Sequence, residues 1–416
     1  MAAQQSGTGQ SPSGTTRRGA LTAGAAVAAG LLLTAAAPAR GAARPQMRGL
    51  WAASVANTDW PSKPGLPAAQ QRKELTDLLD LAVRNRLNAV FLQVRPTADA
   101  FWPSEYEPWS RYLTGTQGRD PGWDPLGTAV TEAHRRGLQL HAWCNPYRIG
   151  TDDRLSALAP AHPARRNPDW VVSHGGKLYY NPGLPEVREH VEQAVLDAVR
   201  RYPVDGVHFD DYFYPYPIKG QRFDDDAAYA AHGGGHDRGA WRRHNTDLLV
   251  SELHQRIRQL RPGVAFGVSP FGVWRNRATD PTGSATKAGV QAYDDLYADT
   301  RRWVREGWID YIAPQLYWNI GFAAADYAVL VDWWARQVAG TGVRLYVGEA
   351  VYRAGAPGAA AAWQNPAELS RHLDLCERNP QVGGHLHYNA TAVRRDRIGA
   401  FARLVKDHYP TPVPAS

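Results

Sequence analysis

The sequence predicts an α/β fold, a single (β/α)8 TIM barrel with long βα loops, on three observations. Strand-like and helix-like segments alternate eight times between residues 48 and 409, and such alternation demands a parallel sheet. No G-x-G-x-x-G follows any early strand, which argues against an open doubly wound sheet. The long insertions, 95–124, 146–184, 212–239 and 271–289, all follow strands, as the elaborated βα loops of a barrel do.

Residues 49–54, 89–94, 139–145, 204–210, 264–270, 311–317, 344–349 and 382–387 read as the strands. Between the first two, Leu75, Leu78, Leu79, Ala82 and Val83 recur at helical spacing. Pro185-Glu186 opens the helix after the third strand with an N1 proline and an early acid. After the fourth, Leu248, Leu249, Leu253, Ile257 and Leu260 mark a helix that Arg261-Pro262-Gly263 stops. The barrel is expected over 48–409, after a short linker at 40–47 and before a disordered tail at 410–416.

Residues 1–39 read as a cleaved signal peptide. Arg17-Arg18 precedes an Ala/Leu-rich run at 20–37, and Ala37-Pro38-Ala39 is a small-residue cleavage site. The paired arginines fit the twin-arginine route, while Gly19-Ala20-Leu21-Thr22 lacks that signal's usual bulky pair and lysine, so ordinary secretion stays open. No Cys follows the run as a lipid anchor would need, and no stable membrane span is expected in the mature chain. A secreted, extracellular or cell-wall-associated bacterial protein is expected. Cys144 and Cys376 fall in distant elements and read as buried small hydrophobes.

The net charge of +7 comes without a basic tract interleaved with aromatics, which speaks against nucleic acid and fits polyanionic surfaces. Trp 15 and Tyr 19 against Phe 9 is an aromatic balance suited to a wet, stacking cleft.

The most informative run is 204–215. Its strand carries Val207 and Phe209 on one face, His208 and Asp210 on the other, and Asp211, Tyr212 and Tyr214 follow at once. Polar residues fall at similar places elsewhere: Gln93 and Arg95, His141, Trp143 and Asn145, Gln315 and Tyr317, Glu349, and His385, His387 and Asn389. Asp205 and Asp310 begin their strands and read as structural. A sugar-processing cleft is the expectation.

Asp210 is the preferred general acid, since a regular strand would turn Asp211 outward, with His208 tuning it. Glu349, across the barrel mouth, is the natural second carboxylate. The substrate's own N-acetyl group, supported by Tyr317, is the other route. Arg95, Asp99, Asn145, Tyr147, Arg148, His208 and Gln315 are expected to hold substrate polar groups. Trp102, Trp143, Tyr212, Tyr214, Trp274 and Trp318 are expected to offer stacking faces. No metal or cofactor is expected. Two rivals are a metal-dependent hydrolase using His141, His208, His385 and His387, and a non-catalytic carbohydrate-binding barrel.

Arg48-Gly49-Leu50-Trp51, Gln93-Val94-Arg95-Pro96, Glu107-Pro108-Trp109-Ser110, His141-Ala142-Trp143 with Asn145-Pro146-Tyr147-Arg148, Asp205 to Tyr212, Ser269-Pro270-Phe271-Gly272 and Tyr311 to Trp318 are among the segments that stand out as motifs. Together they resemble the glycosyl-hydrolase-like family ten, distinct from the family-ten xylanases. The resemblance implies a barrel fold and bacterial cell-envelope glycosidases, some acting on peptidoglycan strands stripped of their stem peptides. It supports Asp210 or Asp211 as the acid.

Overall fold

Eight parallel strands close a barrel within residues 46–415, the part of the chain that the computed structural model describes. In chain order the strands are β1 (Met47–Ala52), β2 (Ala89–Arg95), β3 (Gln139–Cys144), β4 (Val171–His174), β5 (Lys177–Tyr180), β6 (Gly206–Phe209), β7 (Ala265–Val268), β8 (Tyr311–Ile312), β9 (Arg344–Glu349) and β10 (Val382–Tyr388). β4 and β5 form an antiparallel hairpin inside the long loop after β3, and the others close in the order β1-β10-β9-β8-β7-β6-β3-β2. All eight expected barrel strands are present, and the hairpin is an addition. β7 and β8 are shorter than their runs of apolar residues. Pro270 and Pro314 carry no N–H for a ladder, so regular pairing ends before them.

The amphipathic runs form the outer layer, including the helices Ala68–Arg84, Pro185–Arg201 and Arg238–Leu260. Leu75, Leu78, Leu79 and Ala82 are buried, as their spacing predicts, whereas Val83 is exposed. A smaller cluster fills the barrel interior, with Trp51, Phe91, Trp143, Tyr311, Tyr346 and Leu386 among its members. The signal-peptide expectation lies outside the described residues. Among the described residues, no helix is long and apolar enough to cross a membrane. Both cysteines are buried and free.

Acids at strand starts staple the lower face, as expected. Asp205 accepts from the Leu140 N–H at 2.7 Å and pairs with His134, and Asp310 accepts from the Phe266 N–H at 2.8 Å. The segment expected as a disordered tail is instead tied down through residue 415. Arg48 donates to the Thr411 carbonyl at 2.7 Å, Asn88 to that of Val413 at 3.2 Å, and Ala415 packs against the interior cluster.

The inward face of β9 and β10 also differs from the expected one. Tyr346 and Leu386 point into the barrel, so Glu349, His385 and His387 point out into the helix layer. A register irregularity between Val382 and Gly384 accompanies this parity in β10. Glu349 is fully buried there. It accepts from the Tyr327 hydroxyl at 2.6 Å and meets His372 Nδ1 at 2.9 Å and His385 Nδ1 at 3.0 Å. Burial alone would raise its carboxyl, but the His372 charge and these hydrogen bonds outweigh burial and hold it well below the usual range. Burial lowers His372, and Glu349 more than reverses that, so the imidazole is raised. Glu349 is thus an anchor between barrel and helices rather than the second catalytic carboxylate.

Glu349→Ala should lower the unfolding free energy by about 3–5 kcal/mol, because His372 loses the nearer of its two buried counter-charges, with Glu368 left at 3.6 Å. The depressed acid loses its contribution as pH falls through its folded pKa, and the raised histidine loses its own as pH climbs through its folded pKa. Melting temperatures of wild type and variant across pH check this: the gap between them should narrow at both extremes.

Candidate active site

The carboxyl ends of the strands surround a cavity of about 210 Å³. Its lining is Trp51, Trp143, Asp210, Asp211, Tyr212, Tyr216, Ser269, Gln315, Tyr317 and Tyr388. Among the described residues no third acid lines it.

β6 ends at Phe209, and the chain bends at once. Strand alternation therefore stops before the two aspartates, and both side chains line the same cavity. A regular strand would have sent Asp211 outward; the bend brings it in. Asp210 accepts from Asn145 Nδ2 at 3.0 Å, Trp143 Nε1 at 3.2 Å and the Tyr212 N–H at 3.3 Å. Asp211 accepts from Gln315 Nε2 at 2.9 Å and from the Tyr216 hydroxyl. The pair is thus gripped from opposite sides, by β3 and its loop on one and by the segment after β8 on the other.

Burial, then the neighbouring Asp211 charge, pushes Asp210 up to about 6, against the pull of Arg148 and Asn145. Burial raises Asp211 as well, with Tyr216 and Gln315 opposing it. Two carboxyls this close do not ionise independently, so one proton is retained toward neutrality while the other acid is charged. Asp210 is the better proton carrier because Asp211 has the strongly donating phenol beside it.

The floor is set by a directed chain of hydrogen bonds. The Trp51 indole can only donate, and it points at His208 Nε2 at 3.1 Å. His208 therefore carries its proton on Nδ1 and donates to the Tyr311 hydroxyl at 3.0 Å, which in turn reaches His141 Nδ1 at 3.2 Å. Burial holds His208 well below its ordinary pKa and His141 at about 4, so both rings are neutral. Gly348 lies under Trp51, where a Cβ would sit 3.1 Å from the indole. His208 is fully buried and holds Trp51; it neither touches the cavity nor bonds Asp210.

Of the residues expected from sequence, Asp210, Asp211, Trp143, Tyr212, Gln315 and Tyr317 line the cavity. Asn145 supports Asp210 from behind. Arg148 donates to the Pro96 carbonyl at 3.2 Å and lies over the Tyr212 ring at 5.2 Å. The others are corrected. Arg95 is buried in a bidentate pair with Glu107 and bonds the Pro146 carbonyl, shaping the loop after β3. Asp99 is buried beside Gln117, where burial pushes it up to about 6 away from the cavity. Tyr147 is core, Tyr214 packs on Phe223 and Tyr297, and Trp102 bonds Asp197. Trp274 stacks on Trp333 and donates to Asp299, and Trp318 packs edge-on against Phe271.

Trp51, Tyr216, Ser269 and Tyr388 were not expected at the site. Trp51 pairs in register with Tyr388, so the correct inward face of β10 would have found the latter. The four histidines do not converge: His141 and His208 share Tyr311, His385 holds Glu349, and His387 bonds Tyr409 at 2.9 Å.

A closed barrel with paired buried acids and aromatic walls at its strand ends defines an enzyme of the barrel glycosidase type. The glycosyl hydrolase-like 10 family description matches residues 46–365, and the chain belongs to that family. It is 49% identical over 370 residues to glycosyl hydrolase YngK of Bacillus subtilis (strain 168), covering 88% of this chain and 72% of that protein. It is 44% identical over 359 residues to glycosyl hydrolase DigH of Escherichia coli (strain K12), covering 81% of each. Among solved structures, the PgaB (BpsB) glycoside hydrolase domain from Bordetella bronchiseptica shares the fold at TM-score 0.56 and 14% identity, over 87% of this chain and 99% of that one. The protein is a glycosidase.

If Asp210 delivers the proton, kcat/KM falls as pH rises through its folded-state pKa. Asn145→Ala removes a donor that favours the ionised form, so the falling limb should move to higher pH by about one unit. pH–rate profiles of wild type and variant check the direction; an unmoved limb would assign it to another group.

Proposed function

We propose that the protein is a secreted glycosidase that cleaves amino-sugar polysaccharide, with peptidoglycan strands as the substrate, and that Asp210 is its general acid. One observation carries this reading: two coupled, buried carboxyls open into a cavity walled by Trp51, Trp143, Tyr212, Tyr317 and Tyr388. The aromatic faces suit pyranose rings, and the protonated acid suits a departing glycosidic oxygen.

With no third acid on the cavity among the described residues, the N-acetyl route accounts best for the nucleophile. Asp210 gives its proton to the glycosidic oxygen as the C–O bond breaks. The substrate's acetamido oxygen attacks the anomeric carbon, and ionised Asp211 accepts from the acetamido N–H and balances the cationic ring that forms. The Tyr317 hydroxyl has no protein partner among the described residues, and burial keeps it protonated, so it is free to donate to the substrate. Water then opens the ring, giving its proton to Asp210 and restoring the acid. The leader at 1–39 is the basis for secretion, and the chain's positive charge suits an anionic wall.

Digestion of stripped peptidoglycan strands, chitin and de-N-acetylated strands, read by mass spectrometry, tests the substrate class. Cleavage is expected on the first and loss of cleavage on the third; equal cleavage of de-N-acetylated strands would contradict the acetamido nucleophile. Asp210→Asn should lower turnover by roughly a hundredfold or more with an unchanged fold, measured as kcat alongside circular dichroism.

A further inference from the structure

The helices Glu368–Glu377 and Ala400–His408 pack against each other in the outer layer of the barrel. They bring together three side chains that take no part in the catalytic cavity: Asp374 and Glu377, three positions apart on one helix face, and His408, the last residue of the other helix. One oxygen or nitrogen from each lies within 4.8 Å of the others.

Two acids on a helix surface are ordinary, and it is His408 that sets this cluster apart. Its side chain is only 5% exposed although it ends a surface helix. Nδ1 lies 2.7 Å from Glu377 Oε1, and a carboxylate oxygen can only accept. In the neutral ring the proton is therefore on Nδ1, and Nε2 presents a lone pair. That nitrogen is buried and has no hydrogen-bond partner. It faces Asp374 Oδ1 at 3.6 Å, and Asp374, which is 62% exposed, makes no hydrogen bond among the described residues. Two acceptors thus face each other with no donor between them. The gap is too long for a hydrogen bond, but it is close to the ~3.3 Å that separates two ligands held about 2.0–2.1 Å from a tetrahedral ion. A carboxylate on the far ring nitrogen is also how metal-binding imidazoles are oriented.

We propose that Asp374, Glu377 and His408 form a site for a divalent cation of the zinc type, with water completing the shell. Glu377 holds the ring through one oxygen and offers the other to the ion. Mixed imidazole and carboxylate donors suit zinc and its first-row neighbours, whereas calcium and magnesium take all-oxygen sets. None of the three residues lines the catalytic cavity, so the ion's part is structural. His408 precedes Tyr409, whose hydroxyl meets His387 Nε2 at 2.9 Å and whose ring carries the Arg48 guanidinium at 4.2 Å. A clamp on His408 therefore fastens the seam where β10 and β1 close the barrel.

Zinc chloride titrated into the chelator-treated full chain, followed by calorimetry and by melting temperature, tests this beside Asp374→Asn and His408→Gln. Wild type should bind one ion at this site and melt at a higher temperature with zinc present. Each variant should bind that ion roughly tenfold or more weakly and lose most of the rise. Asp374 is exposed, so without zinc Asp374→Asn should melt as wild type does, which separates a lost ligand from a damaged fold. Absence of zinc binding by wild type would overturn the site, leaving His408 as an imidazolium between two acids. Zinc bound as tightly by Asp374→Asn as by wild type would overturn it by placing the ion elsewhere. Magnesium chloride raising the melting temperature as far as zinc does would overturn the class of ion.

Discussion

Two carboxyl groups sharing one small buried space at the end of β6 set the terms for everything around them. The two cannot both shed their protons at ordinary acidity without placing two negative charges side by side in a poorly hydrated site. The surroundings answer with donors rather than with a direct cation. Asn145, Trp143 and the Tyr212 amide serve one acid, Gln315 and Tyr216 the other, and Arg148 stands behind both as a charge. The bend after Phe209 is the local feature that makes the pair possible, because continued strand geometry would separate the two side chains onto opposite faces.

The barrel's interior supports this rim from below. Trp51, His208, Tyr311 and His141 come from four different strands and hold one another through hydrogen bonds whose directions are fixed by the indole donor. Two neutral histidines can sit at the centre of the barrel because each has partners for its ring nitrogens. Their effect is to fix the Trp51 face under the substrate, with Gly348 leaving it room. Outside the strands, the Glu349–His372–His385 cluster fastens β9 and β10 to the helices. The molecule thus keeps its ionised acid–base anchor on the far side of the sheet from its chemistry.

The barrel was legible because eight apolar strand runs alternate with amphipathic helices, and Asp210 because a polar residue at a strand tip is hard to explain otherwise. Trp143 followed from counting along β3, and Gln315 and Tyr317 fall on the cavity although they lie beyond the end of β8. Glu349 and His385 were misread, and Tyr388 missed, for one reason: a one-residue change of parity exchanges the faces of β9 and β10, and no residue type in 344–349 or 382–387 marks which face is inside. Arg95 was claimed by Glu107, twelve positions on, and Trp274 by Asp299; such pairings depend on how long loops fold back. Tyr216 lies in one of those loops, and nothing in its local sequence distinguishes it from Tyr214, which went into the core.

Asp210 retains a proton near neutrality because it is buried beside Asp211, and the proposed chemistry rests on that proton. Nuclear magnetic resonance titration of carboxyl carbons, in the wild-type chain and in Asp210→Asn, measures this directly. One aspartate signal should titrate at about 6 in the wild-type chain and be abolished by the substitution. Both aspartates titrating independently in the ordinary carboxylate range would contradict it.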